Sequence, residues 1–302
     1  MPFAQGSRSR LSYVPEVTFG ETPVTPSMIQ IPFNTHSVGL KKTIIPSNAI
    51  TGDRQVRVSR HGNKTVSGDM VVEFCADDYD YFLECAFFGT FTTGVLKLGT
   101  TFKSFTLEDA LLDLTKFRVF RGCAVNTLNI EVKPDAMVMA SFGIVGKDSP
   151  AVSGTPLDAA VTAPTNNAPF DSFSGTIEED GSAIATVTSL TCTIENGLNP
   201  TAVIGSDVAP QLEYGRGKVT GEMTCYFDSE TLYNKFVNET ETDLVFSLTD
   251  GLTGNTYTFN MPKVKINGGD MPVQNEQSRL VTIPFEALYN SSDATAFFVT
   301  KS

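Results

Sequence analysis

Apolar and polar residues alternate with a period of two through Val66-Ser-Gly-Asp-Met-Val-Val-Glu-Phe74: Val66, Gly68, Met70, Val72 and Phe74 form one face, with Thr65, Ser67, Asp69 and Glu73 on the other. That period predicts a half-buried strand. Val219-Thr-Gly-Glu-Met-Thr-Cys-Tyr-Phe227 repeats the pattern without a gap, Gly221 standing 153 residues after Gly68, with Lys218, Thr220, Glu222 and Thr224 on its polar face. A change of period follows each copy. Residues 75–88, with Asp77 as candidate N-cap and Gly89 as a stop, and residues 228–237 carry apolar positions at helical spacing, and Leu232 and Phe236 keep the same offset from Tyr79 and Leu83. Each predicts one short amphipathic helix with a capped start.

The chain then returns to strands: Leu107 and Phe117–Ile130 in the first half, Leu244–Leu248 and Tyr257–Ile266 in the second, the latter pair joined by the hairpin turn Asp250-Gly-Leu-Thr-Gly-Asn255. Closing strands are expected at Met137–Val145 and Arg279–Leu288, with Phe142 and Phe285 in similar places. Between the halves, Lys147–Pro169 is poor in bulky residues and rich in Ser, Thr, Ala and Pro, which reads as a linker or a long surface loop. The expected fold is mainly β: two tandem β-sandwich or barrel domains, each with one flanking α-helix. The expected boundaries are 1–146 with an N-terminal arm, a linker at 147–169, and 170–302.

Composition removes several classes of function. The 302 residues carry 22 cations against 34 anions, a net charge of -12, which disfavours gripping nucleic acid through its phosphates. Residues 1–23 have no apolar core behind Arg8 and Arg10 and read as a polar arm, and the apolar stretch Ala136–Gly146 is too short for a membrane helix. Five cysteines at spacings that fit no zinc pattern read as buried thiols of a reducing compartment, in which the sequons at Asn63, Asn238 and Asn290 stay unmodified. The two histidines, His36 in strand or turn context and His61 in a turn, are too few for a zinc site. Cys75 and Cys225 sit on or beside apolar strand faces, as small core residues do. Gly215-Arg-Gly-Lys218 lacks phosphate-loop spacing and enters a strand, and the acidic groups Asp77-Asp78 and Glu178-Glu-Asp-Gly181 are explained without a cation by a helix cap and an acidic turn. No catalytic constellation, metal site or cofactor is expected.

Charge is nevertheless uneven. Lys41–Lys64 holds six cations, Lys41, Lys42, Arg54, Arg57, Arg60 and Lys64, against the single anion Asp53. Two readings stand: an ordinary solvated hairpin, or an arm that meets an acidic surface such as another copy of the chain.

Several stretches together resemble the tail tube (major tail) proteins of bacteriophages with long, non-contractile tails. They are Leu11-Ser-Tyr-Val-Pro-Glu-Val-Thr-Phe-Gly-Glu-Thr-Pro23, Ser47–Val58, the Val66-Ser-Gly-Asp strand with its helix, Phe117–Val125, and Val281-Thr-Ile-Pro-Phe-Glu-Ala-Leu-Tyr289. The likeness spans nearly the whole chain, and its motifs are structural. It departs from the simplest such proteins in carrying the unit twice. The resemblance implies a β-sandwich with a flanking helix whose copies close into a ring around an inner barrel, the rings stacking into a tube that conducts DNA. Six units per ring would then come from three chains, a trimeric, pseudo-hexameric ring. By the family pattern, inter-ring stacking falls to the loop with Lys41, Lys42, Arg54, Arg57 and Arg60, and in the second half to the non-basic Gly197–Gly217. Asp69, Glu73 and Glu222 are expected near the lumen, where they would repel passing DNA; outer-surface solvation is the alternative. The implied partners are other copies and the tape-measure, terminator and distal tail proteins. DNA would pass without specific binding and no membrane would be bound; the location is the virion tail, assembled in the host cytoplasm. A secretion-tube component and a virion decoration or adhesion protein are the rival readings; the absence of Trp counts against a sugar-binding adhesin.

Overall fold

A computed structural model describes residues 3–165, 167–172, 174–273 and 278–302. In chain order the first half holds β1 (Ser9–Pro15), β2 (Ile29–Ile31), β3 (Thr35–His36), β4 (Gly39–Pro46), β5 (Ser59–Glu73), α1 (Asp80–Phe87), β6 (Val95–Lys97), β7 (Phe105–Leu111), β8 (Lys116–Val132) and β9 (Met139–Gly146). The second half holds β10 (Thr176–Glu179), β11 (Ser182–Ala183), β12 (Val187–Glu195), β13 (Asn199–Pro200), β14 (Leu212–Glu213), β15 (Lys218–Tyr226), α2 (Thr231–Val237), β16 (Thr242–Thr249), β17 (Thr256–Ile266), β18 (Leu280–Ala287) and β19 (Phe298–Lys301). The fold is mainly β, as the alternating pattern requires.

Antiparallel pairing runs β4-β5-β9-β8-β7-β1 in the first half. The same order recurs in the second as β12-β15-β18-β17-β16-β10. Equivalent positions follow from the register: Gly68 faces Ile144 and Gly221 faces Phe285, so Phe285 matches Ile144, and Phe142 matches Ile283. The two phenylalanines expected in similar places are therefore one alternate position apart. Both glycines are required by close approach: a Cβ on Gly68 would stand 2.4 Å from the Ser37 carbonyl oxygen, and one on Gly221 2.4 Å from that of Thr191.

The halves are not separate sheets. The C-terminal part of β8 pairs on its free side with β12, and the C-terminal strand β19 pairs with β17 and also with β6. A single apolar core runs through both halves, from Leu11 and Phe142 to Phe285 and Val299. The segment 147–169 is strapped along the first half: the Met28 amide donates to Asp158 at 2.9 Å, the Leu157 amide to Glu108 at 2.7 Å, and the Thr165 amide to Asp78 at 2.7 Å.

Four local expectations are corrected. The N-terminal arm is a core strand, Leu11–Val14 being buried between β2 and β7, because the apolar Leu-x-Tyr-Val pattern outweighs the flanking arginines. Helix α1 begins at Asp80, and Asp77 is not its cap: its backbone is left-handed (φ 73°), its amide donates to the Tyr257 hydroxyl at 3.1 Å and its carboxylate pairs with Lys301. Helix α2 also lacks a side-chain cap and fully buries none of its residues, Leu232 alone packing against the core while Tyr233 and Phe236 stay partly exposed. His61 lies within strand β5, facing Ile44, rather than in a turn.

Helix α1 by contrast buries Phe82, Leu83, Cys85, Ala86 and Phe87. Each large side chain there contributes about 1.5–3 kcal/mol by leaving water. The second half supplies part of that cover, since Phe87 stacks on Phe297 at 5.0 Å. Phe88, in the left-handed conformation (φ 49°), ends the helix, with Gly89 returning its amide to the Glu84 carbonyl at 3.1 Å.

Candidate functional site: an acidic sheet face and a basic arm

The β8–β12 junction fuses the inner strands of both halves into one sheet, β4-β5-β9-β8-β12-β15-β18. Side chains facing each other across a ladder share a face. Glu73 faces Met139, Met139 faces Glu131, Glu131 faces Thr191, Thr191 faces Glu222, and Glu222 faces Pro284. One cross-strand row thus carries three glutamates from both halves. A neighbouring row runs Val71, Ser141, Asn129, Thr193, Thr220, Glu286 and Lys265, and the Thr193 hydroxyl donates to Asn129 at 2.9 Å within it. Asp69 opposes Gly143, Gly143 opposes Thr127, and Thr127 opposes Glu195.

All three residues singled out as acidic candidates, Asp69, Glu73 and Glu222, are exposed and lie on this one face. Glu131, Glu195 and Glu286 join them and were not anticipated. Their signal was present: Thr127, Asn129 and Glu131 alternate with buried Leu128 and Ile130. The cations of the face are fewer: Lys218 follows Glu195 in register, and Lys265 is drawn aside to Glu239 at 3.0 Å. Lys133 reaches Glu131 at 2.6 Å from the turn beyond β8, and the Asn34 side-chain Nδ2 donates to Glu73 at 3.2 Å. The opposite face of the same strands, with Met70, Phe142, Ile130, Cys192, Met223 and Ile283, is buried in the core.

The basic segment is a hairpin arm. β4 and β5 extend beyond the body with Lys42 facing Lys64, Ile45 facing Arg60 and Pro46 facing Ser59, and Lys41, Lys42, Arg54, Arg57 and Arg60 are all exposed. Arg57 pairs with Asp53 inside the arm; with the Gln55 amide it holds that carboxyl below its ordinary range. The arm also exposes Ile44, Ile45, Ile50, Val56 and Val58, with Ile50 98% exposed. The 197–217 loop is placed differently: its Asp207 pairs with Lys64 at 2.5 Å at the base of the arm, and Tyr214 stacks on Phe102 and packs on Phe88.

The sequence profile of the phage tail tube protein family matches residues 6–287, from just before β1 to the end of β18. No individually curated protein matches the chain. The match covers well over half of the sequence. The chain belongs to the phage tail tube protein family.

Among the described residues no group of three or more His, Cys, Asp or Glu side chains is arranged to hold a metal ion. All five cysteines are buried free thiols, and desolvation pushes Cys75 and Cys192 up to about 12, far from a reactive thiolate. His36 is 3.7 Å from Asp109, a carboxyl that burial alone would raise but that His36 and Arg118 together hold below its ordinary value. That cluster ties β3 to β7 and β8. No helix among the described residues is long and apolar enough to cross a membrane.

Proposed function

We propose that three copies of this chain close into a pseudo-hexameric ring, and that rings stack into the hollow tail tube through which the genome of a long, non-contractile-tailed phage is delivered. The recurring strand order supports two tandem tube domains, 1–146 and 170–302, joined by the strap at 147–169. Head-to-tail contacts of this kind generate closed rings when the rotation closes. Assembly takes place in the host cytoplasm, with tape-measure, terminator and distal tail proteins at the ends of the tube.

The observation that carries the reading is the carboxylate row Glu73, Glu131, Glu222 on a sheet shared by both halves. The other face of that sheet is occupied by α1 and the outer strands, so a sheet curling into a barrel keeps the bulky layer on its convex side and the bare acidic face inward. DNA carries about one negative charge per 1.7 Å of axis, and a cationic bore would hold it by counterion release. An acidic bore lets it slide. The arm with Lys41, Lys42, Arg54, Arg57 and Arg60 is the ring-stacking element, and the different placement of the 197–217 loop makes successive inter-ring contacts alternate around the axis.

Electron microscopy of the purified protein, combined with mass per ring, tests this. Tubes with three chains per ring are expected; six chains per ring, or no assembly in any condition, would refute it.

A further inference from the structure

Asparagine followed by glycine occurs twice in the chain, as Asn196-Gly197 just beyond β12 and as Asn267-Gly268 just beyond β17. The pair is chemically labile, because a glycine has no Cβ to keep its amide nitrogen away from the carboxamide carbon before it. The fold treats the two sites differently. Asn196 is only 3% exposed, and its Nδ2 donates to the Ala86 carbonyl at 2.9 Å and to that of Val125 at 3.1 Å. Its carboxamide cannot turn toward Gly197 without leaving two buried carbonyls a partner short.

Asn267 is exposed, and among the described residues its carboxamide has no hydrogen-bond partner. The backbone after it is irregular for a reason the register shows. Ile266 faces Phe285 and Asp270 faces Thr282, so residues 267–269 oppose only residues 283–284, one residue fewer. That extra residue is a bulge. Within it the Gly268 amide has no hydrogen-bond partner among the described residues, whereas the Asn267 amide donates to the Pro284 carbonyl at 2.8 Å. Asn267 therefore stands opposite Pro284, which itself faces Glu222, and it prolongs the row that carries Glu73, Glu131 and Glu222.

We propose that Asn267 is a site of spontaneous deamidation that adds a carboxylate to the acidic face. The Gly268 nitrogen gives up its proton to solvent and attacks the Asn267 Cγ. The new bond closes a succinimide ring, and the side-chain nitrogen takes up a proton and leaves as ammonia. Water then opens the ring. Cleavage between the nitrogen and Cγ leaves aspartate, and cleavage between the nitrogen and the Asn267 backbone carbonyl carbon leaves isoaspartate, with the main chain longer by a methylene. Either product has lost ammonia and gained water, and each carries a negative charge where a neutral carboxamide stood. The chemistry needs only the geometry of this one chain. In a tube built as proposed above, the bore would grow more acidic with age.

The test is to hold the purified full chain in mildly alkaline buffer, which favours the deprotonated amide nitrogen, and to sample it over weeks. Peptide mapping by mass spectrometry reads the exchange of NH for O at each asparagine. Conversion at Asn267 should run at least roughly tenfold faster than at Asn196, which reacts only when the fold opens locally. In urea the two sites should convert at similar rates, because the protection of Asn196 comes from the fold. Asn267→Gln, a change at an exposed position, should prevent the more acidic species that anion exchange resolves from the fresh protein. Retention of the amide at Asn267 in the folded chain, or conversion at Asn196 as fast as at Asn267, would overturn the proposal.

Discussion

Tyr257 of β17 donates its phenolic proton to Asp80, the first residue of α1, tying the second half of the chain to the helix of the first. The same hydroxyl accepts the Asp77 amide, and Lys301 reaches Asp80 at 2.7 Å. Two residues distant in sequence, Tyr257 and Lys301, thus fix how α1 enters the core. Tyr257→Phe should cost about 1 kcal/mol, since it leaves a half-buried carboxylate and an amide each one partner short. Urea denaturation measures the loss; an unchanged midpoint would show the network to be dispensable.

The hairpin between β16 and β17 should open in acid. Asp250 accepts the Thr253 hydroxyl and the amides of Leu252, Thr253 and Gly254 and is held near 2, against 3.8 for a free carboxyl. A depressed carboxyl stabilises the fold fully above its unfolded value and loses that contribution as pH falls through its folded one. Protection of these amides should therefore fall between about pH 4 and pH 2, and Asp250→Asn should abolish the step. Exchange rates followed by NMR across this range provide the check.

Much of this was legible in the sequence, and the misses share one cause. The strands Val66–Phe74 and Val219–Phe227 announce themselves because alternation is a local property. The start of α1 does not, because Asp77 answers to Tyr257, 180 residues away, rather than to its own helix. The arm is visible as a run of cations, whereas the extent of the acidic face is not: Glu131 joins Glu222 only once β8 has paired with β12 through Thr191. The N-terminal strand was masked by Arg8 and Arg10, although Leu11 and Tyr13 carry a core pattern.

Reversing the charge of the acidic face should create DNA retention. Glu73→Lys/Glu131→Lys/Glu222→Lys chains should still assemble, since these side chains lie off the core, and their tubes should hold duplex DNA at low salt and release it steeply as salt rises. Unsubstituted tubes should hold none. Filter retention across a salt series measures both, and equal behaviour would place the face elsewhere.

Arm substitutions should separate folding from stacking. Arg54→Glu/Arg57→Glu/Arg60→Glu removes an exposed Arg57–Asp53 pair of the kind that adds little to stability in water, so the soluble chain should stay folded by circular dichroism. Tube length in electron micrographs should shrink or vanish. Tubes of normal length would remove the arm from the stacking contact.

The most direct test of the whole account is a helical reconstruction of assembled tubes at side-chain resolution. The account predicts three chains around the axis, with Glu73, Glu131 and Glu222 of each chain lining the bore. Six chains around the axis, or a bore lined by the opposite face or by the arm, would contradict it.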